Sequence, residues 1–425
     1  MTPPPTKPRV LLIAEAANPE WVSVPLIGWS LSRALAAVAE VHIVTQIRNR
    51  DAFLRAGLAE GTDFTAIDSE AVARPLWAVG KALRMGEGKG WTMLQAVSAA
   101  AYPAFERRVW RRFGAGIRAG EWDIVHRITP LSPTIASPIA AKCAAAGVPF
   151  VLGPLNGGVP WPAAFRAEMR AEKEFLAPLR SAYKALPGRR ATLKAASAIL
   201  AGSRHTAREI PAAFQEKVLW LPENAIDPDR FSRVAPHPPG PLRIAFIGRM
   251  VPYKGPDMLL EAALPLLADG RATLDMIGDG PMLETLRQTT APGLTFHGWC
   301  AHEDVQNLLA DATLLALPSV REFGGGVVLE AMALAVPPLV VDYAGPGELV
   351  GDELGFKIPL ADRAGIISAM RGELERLAGA ADLLARTGAA GRTHVMRHFT
   401  WQAKAAQIAR VYAWVLHGGR QPDLW

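Results

Sequence analysis

Short apolar runs alternate with helix-length amphipathic segments along nearly all of this chain, and that alternation constrains the fold more than any single motif. In the first half the runs are RVLLIAE, VHIVTQ, DIVHRI, PFVLGP, SAILAGS and KVLWLP; in the second they are LRIAFIG, TLDMIGD, LTFHGW, TLLALPS, PPLVVD and FKIPL. Runs that stay apolar, instead of alternating residue by residue, suit strands buried on both faces, as in parallel βαβ units. Each half therefore predicts a doubly wound open parallel sheet of the α/β class. PENAIDPDRFSRVAPHPPGP, residues 222–241, lies between the halves; its prolines cannot continue a sheet, and it reads as a stiff linker. A chain of 425 residues is too long for one ordinary core. The expected domains are 1–221 and 242–399, with 400–425 as a closing segment.

Composition narrows the class without choosing the function. Half the residues are hydrophobic and a fifth charged, the balance of a globular enzyme. A net charge of +6 permits attraction to phosphate, anionic lipid or nucleic acid. Nucleic-acid binding would rest on that charge alone and is not expected. Cys143 and Cys300 are the only cysteines, which supports neither a disulfide scaffold nor a cysteine-ligated zinc. Five apolar residues precede Glu15, too few for a signal-peptide core, and no run approaches a membrane span, so a cytoplasmic protein is expected. Phe105, Val109, Trp110, Phe113 and Ile117 fall on one helical face, flanked by Arg107, Arg108, Arg111, Arg112 and Arg118. Such a helix commonly packs on its own sheet with the arginines in water. The alternative is peripheral contact with an anionic inner membrane face, where a lipid-linked acceptor would be met.

In open α/β sheets ligands gather beyond the carboxyl ends of the strands, and four motifs of the second half fall there. GRMVPYKG follows the first strand and carries Arg249 and Lys254; GDGP follows the second, with Gly278, Asp279 and Gly280; Gly298 follows the third; PSVREFGGG follows the fourth. Arginine can fork onto phosphate oxygens while lysine adds a compact charge, so Arg249 and Lys254 suit a diphosphate. In REFGGGVVLEAMA, Glu322 and Glu330 stand eight residues apart around Gly324, Gly325 and Gly326. On an unbroken helix that separation is about 12 Å, too far to share a proton or metal. The glycines favour a loop opening a helix, with Glu322 on the loop and Glu330 inside the helix. A helix start attracts an anion. Two carboxylates around it suit a ligand with hydroxyls at both ends and phosphate between; solvated glutamates beside a glycine turn are the alternative.

With those motifs, the second half resembles the retaining family-4 glycosyltransferases of GT-B architecture, in which two Rossmann-like domains face each other across a cleft. The resemblance implies that Arg249 and Lys254 bind the donor diphosphate and that Glu322 contacts the donor sugar. Phe323, Gly324 and Gly325 would line sugar and phosphate, Glu330 would hold the ribose, and Gly278 and Gly298 would border the nucleotide. It implies a nucleotide-sugar donor, a hydroxyl acceptor (saccharide or lipid-linked), retained configuration, and neither cofactor nor metal. FTWQAKAAQIARVYAWVL resembles the family's last helices, which return to the first domain. The first half, on the acceptor side, departs further. The loop after its first strand has only Gly28 where relatives carry a glycine pair, and DIVHRI keeps His126 but not a second histidine. His126 is a candidate catalytic or acceptor-side group, against a histidine satisfied at a strand end. Asn156, Gly157 and Gly158 in GPLNGGVPWP are candidates for the cleft wall, against a plain turn.

Two other readings share this architecture: a nucleotide-sugar isomerase and a binding subunit without turnover. A dinucleotide oxidoreductase is disfavoured, because neither LLIAEAANPE nor FIGRMVPYKG contains G-x-G-x-x-G.

Overall fold

The computed structural model describes residues 7–72, 74–75, 91–171 and 187–425. They form two compact units. One comprises 1–158, 173–223 and 401–425; the other comprises 159–172 and 224–400. The second unit thus includes a segment, 159–172, that interrupts the first in sequence.

The first unit is built on seven parallel strands: β1 (Arg9–Ala14), β2 (Glu40–Gln46), β3 (Phe64–Ile67), β4 (Ile124–Thr129), β5 (Phe150–Leu155), β6 (Ala198–Ala201) and β7 (Val218–Trp220). Their order is β3-β2-β1-β4-β5-β6-β7. All but β3 coincide with the apolar runs. FTAI escapes that reading because it is four residues long and only Phe64 and Ile67 are buried. Along β1, Val10, Leu12 and Ala14 enter the core on one sheet face, while Leu11 and Ile13 enter the other. Helices Val24–Leu35 and Trp401–His417 supply Leu31, Leu35, Ile408, Val411 and Tyr412 to the first of these cores.

On the opposite face lies helix Trp91–Arg118, whose Phe105, Val109, Phe113 and Ile117 are buried with the sheet residues. The apolar stripe is therefore spent on the protein's own core, and Arg107, Arg111, Arg112 and Arg118 face solvent. Among the described residues no helix is long and apolar enough to cross a membrane.

The second unit has six parallel strands: β8 (Leu242–Ile247), β9 (Ala272–Ile277), β10 (Leu294–Gly298), β11 (Leu314–Leu317), β12 (Pro338–Val341) and β13 (Phe356–Ile358). Their order, β10-β9-β8-β11-β12-β13, reverses direction between β8 and β11. That is the point where loops diverge and ligands enter a doubly wound sheet. The 222–241 stretch is not a bare linker, since Ile226, Phe231 and Ala235 are buried in this unit's core and Ile226 bridges to Thr400.

Candidate functional site

Backbone packing gathers the loops after β8, β9 and β10. The Gly248 N–H donates to Ile277 O at 3.0 Å, Met250 N–H to Asp279 O at 2.8 Å, and Gly278 N–H to Gly298 O at 2.8 Å. Gly278, at φ 132°, lies so close that a Cβ would stand 2.0 Å from the Gly248 carbonyl oxygen. A side chain there would force the loops apart, which is why GDGP needs this glycine.

The loop after β11 joins the same cluster, because the Val320 N–H and Ser319 hydroxyl donate to Tyr253 O at 2.9 and 3.2 Å. Glu322 then meets Lys254 in a direct ion pair, the carboxylate accepting from the ammonium. Both side chains are only slightly exposed. Burial works to lower the Lys254 pKa, but Glu322 and then Tyr253 hold the ammonium above its ordinary value. Residues 68 apart in sequence thus place a cation and a carboxylate together at the switch point. Arg249, on the same loop, is solvent-facing.

Beyond Glu322, Gly325 adopts left-handed φ 58° and caps helix Gly326–Ala333, as a loop opening a helix requires. Glu330 lies in that helix and is partly accessible. Burial pushes its carboxyl up to about 7, against the lowering influence of Arg230. Phe323 and Gly324 stand against the start of helix Ala344–Leu349, which follows β12; there the Gly345 N–H donates to Glu322 O at 3.3 Å and a Gly345 Cβ would meet Phe323 O at 2.2 Å.

Arg321 and Trp161 have no place in the sequence reading but belong to this neighbourhood. Arg321, 5% exposed, sits over Trp161 and Phe323, its guanidinium 5.0 and 5.2 Å from the ring centroids. The signal was present as an arginine before EF in VREFGGG and a tryptophan between prolines in VPWP, but nothing in one sequence joins the two.

In the first unit the candidates lie on β4, on the helix that follows β1 and on the loop that follows β5. His126 lies mid-strand in β4, not at a strand end, and is fully buried. Its Nε2–H donates to Gly153 O at 2.7 Å, and the Tyr412 hydroxyl donates to Nδ1 at 2.7 Å. Burial lowers its pKa to about 4, so the ring is neutral. Both ring nitrogens are thus already engaged within the unit. Gly28 is on a helix, not a loop; a Cβ would stand 2.2 Å from Ala16 O, so its absence lets the helix approach the chain after β1. Asn156 is buried, donating through Nδ2 to Glu223 at 2.6 Å and accepting the Gly157 N–H at 2.8 Å. Thr206 donates to Gly157 O at 3.0 Å and His205 to Gly158 O at 3.1 Å, so this glycine loop is pinned through its carbonyls. Among the described residues no group of three or more His, Cys, Asp or Glu could hold a metal ion.

Residues 241–376 match the family model described as Glycosyl transferases group 1. A D-inositol 3-phosphate glycosyltransferase of Streptomyces bingchenggensis is 30% identical over 201 residues, 43% of this chain and 43% of its own. A GDP-mannose-dependent alpha-(1-6)-phosphatidylinositol monomannoside mannosyltransferase of Mycobacterium tuberculosis is 33% identical over 232 residues, 47% of this chain and 56% of its own. The chain thus spans about half the length of these curated relatives. Among solved structures, Anabaena HepE in complex with UDP and glucose superposes with TM-score 0.58 at 15% identity, covering 96% of this chain and 99% of that one. Sucrose-phosphate synthase of Thermosynechococcus elongatus superposes with TM-score 0.63 at 16% identity, covering 97% and 100%. At these identities the superpositions speak for the fold alone.

Proposed function

We propose, on the premise that residues 241–376 are a group 1 glycosyl transferase domain, that the chain transfers a sugar from a nucleotide-diphosphate donor to a hydroxyl acceptor with retained configuration. The observation that carries this reading is the Lys254–Glu322 pair at the β8/β11 switch point, followed directly by a glycine-capped helix bearing Glu330. Lys254 and Arg249 would take the diphosphate; fixed cations can neutralise a departing diphosphate as its charge grows. The sugar, one bond beyond the β-phosphate, would then meet Glu322, and the ribose would meet Glu330. The neighbouring relatives, one named for inositol phosphate and one for a phosphatidylinositol mannoside, support an acceptor rich in hydroxyls. Retention follows from the family resemblance, in which the leaving phosphate oxygen helps take the acceptor proton and no carboxylate nucleophile is needed. Metal independence is part of the same proposal.

The test is a panel of nucleotide sugars scored by thermal shift, with and without EDTA. A ligand that binds only the native state raises its apparent stability. Stabilisation by at least one nucleotide sugar, unchanged by EDTA, is expected; no response to any member, or a response that appears only with magnesium or manganese, would count against it.

A further inference from the structure

The Arg321 guanidinium is a charged group with 5% exposure, and its setting explains how burial is tolerated. Its Nε–H donates to Val159 O at 3.4 Å, and it lies over the Trp161 and Phe323 rings at 5.0 and 5.2 Å. A planar, weakly hydrated guanidinium between aromatic faces gains cation–π attraction that a lysine cannot reproduce in the same geometry. Trp161 also stands edge-on to Tyr253, with centroids 5.9 Å apart and ring planes at 90°. The Tyr343 hydroxyl donates to Pro160 O at 2.9 Å, tying the same short segment to the loop after β12. Val159, Pro160 and Trp161 all belong to the second unit.

These contacts bracket the ion pair. Glu322 is the peptide neighbour of Arg321 on one side and Phe323 on the other, and Lys254 is the peptide neighbour of Tyr253. Trp161 therefore touches both loops whose charged ends meet. We infer that Trp161 and Arg321 form a clamp that positions Glu322 at the sugar end of the donor site, so that residues 159–161 help set the discrimination between a nucleotide sugar and its bare nucleotide. They are positioning residues, acting through the loop and not by touching the reacting atoms. The inference rests on the donor-site reading above. Loss of one charge-assisted hydrogen bond to the sugar costs about tenfold or more in Kd, so loss of the clamp should register at the sugar and spare the diphosphate.

The experiment is calorimetry on the full chain with GDP-mannose and UDP-glucose, each beside its matching GDP or UDP, for wild type, Trp161→Ala, Trp161→Phe, Arg321→Lys and Tyr343→Phe. In Trp161→Ala and Arg321→Lys the ratio of donor Kd to nucleotide Kd should rise about tenfold or more, the cost of one charge-assisted hydrogen bond to the sugar, while the bare nucleotide binds nearly as before. Trp161→Phe keeps a ring under the guanidinium and should restore most of the wild-type ratio. Tyr343→Phe removes one tether and keeps the stack, so its smaller rise reports the clamp even if Trp161→Ala does not fold. A merely structural role predicts lower melting temperatures with the ratio unchanged in every folded variant, and that result would overturn the inference alone. If wild type binds neither nucleotide nor nucleotide sugar, the donor-site reading falls and the clamp with it.

Discussion

Glu330→Gln should stabilise the second unit at high pH while weakening its hold on a nucleotide. The carboxyl is pushed from 4.5 to about 7 chiefly by burial, with Arg230 opposing. A group whose pKa is raised on folding contributes stability that is fully present below 4.5 and lost as pH rises through 7, because above that the fold must hold a poorly solvated carboxylate. At about 1.4 kcal/mol per tenfold change in proton affinity, the full rise corresponds to roughly 3 kcal/mol, an upper figure because Glu330 keeps some solvent contact. Glutamine has the same shape and no charge at any pH. The melting temperatures of variant and wild type should therefore nearly coincide at pH 5 and diverge by pH 8.5. For a unit of this size about 2–4 °C accompanies each kcal/mol, so the variant should melt several degrees higher there. If Glu330 holds ribose hydroxyls, the same change removes a charge-assisted hydrogen bond worth about 1.5–3 kcal/mol, roughly ten- to a hundredfold in Kd. Wild-type nucleotide affinity should also rise with pH through 7, and the variant's should not. Differential scanning fluorimetry across pH 5–8.5 with parallel calorimetry reads both effects. A stability difference that does not change with pH would refute the burial argument; unchanged nucleotide affinity would refute the ribose assignment.

In steady-state transfer assays Glu322→Gln should weaken donor binding and lower kcat as well, so that kcat/KM falls more than kcat, while bare nucleotide binds nearly as in wild type, because the Glu322 contacts to the sugar exist in the bound donor and strengthen as charge builds on the ring; full kcat in the variant would remove Glu322 from the reaction. His126, with its pKa lowered from 6.5 to about 4 by burial, contributes stability that is present above 6.5 and lost as pH falls toward 4. Unfolding of the first unit between pH 7 and 4 should therefore show an acid-labile component that His126→Gln lacks; an identical acid profile in the two proteins would contradict the buried, neutral ring.

The sequence discloses what periodicity and local chemistry can encode. All six strands of the second sheet fall on the short runs read from the sequence, although β9, β10 and β13 interrupt theirs with Asp275, His297 and Lys357, and the loop-to-helix change at Gly325 is legible because glycine takes φ 58° without strain. β3 is not legible, since FTAI is a run of only four residues set among polar ones, too short to separate from a turn. Nor is the burial of His126: a polar residue inside a strand reads as a strand end unless its partners, Tyr412 and the Gly153 carbonyl, are known, and Tyr412 lies 286 residues away. The Lys254–Glu322 pair and the Trp161–Arg321 stack are non-local in the same sense. Motif spacing brings the right residue types to the ends of neighbouring strands, but which side chains meet depends on how the loops pack.

The central claim is that the loops after β8 and β11 form a diphosphate site, and the most direct test is calorimetric binding of nucleoside diphosphates to wild type and to the Arg249→Ala, Lys254→Ala double variant. Each lost charge-assisted contact is worth about 1.5–3 kcal/mol, so the double variant should bind at least about a hundredfold more weakly; it should still unfold in one cooperative transition, at a lower melting temperature because Lys254→Ala leaves the little-exposed Glu322 carboxylate unpaired. Equal affinity in the two proteins would contradict the account.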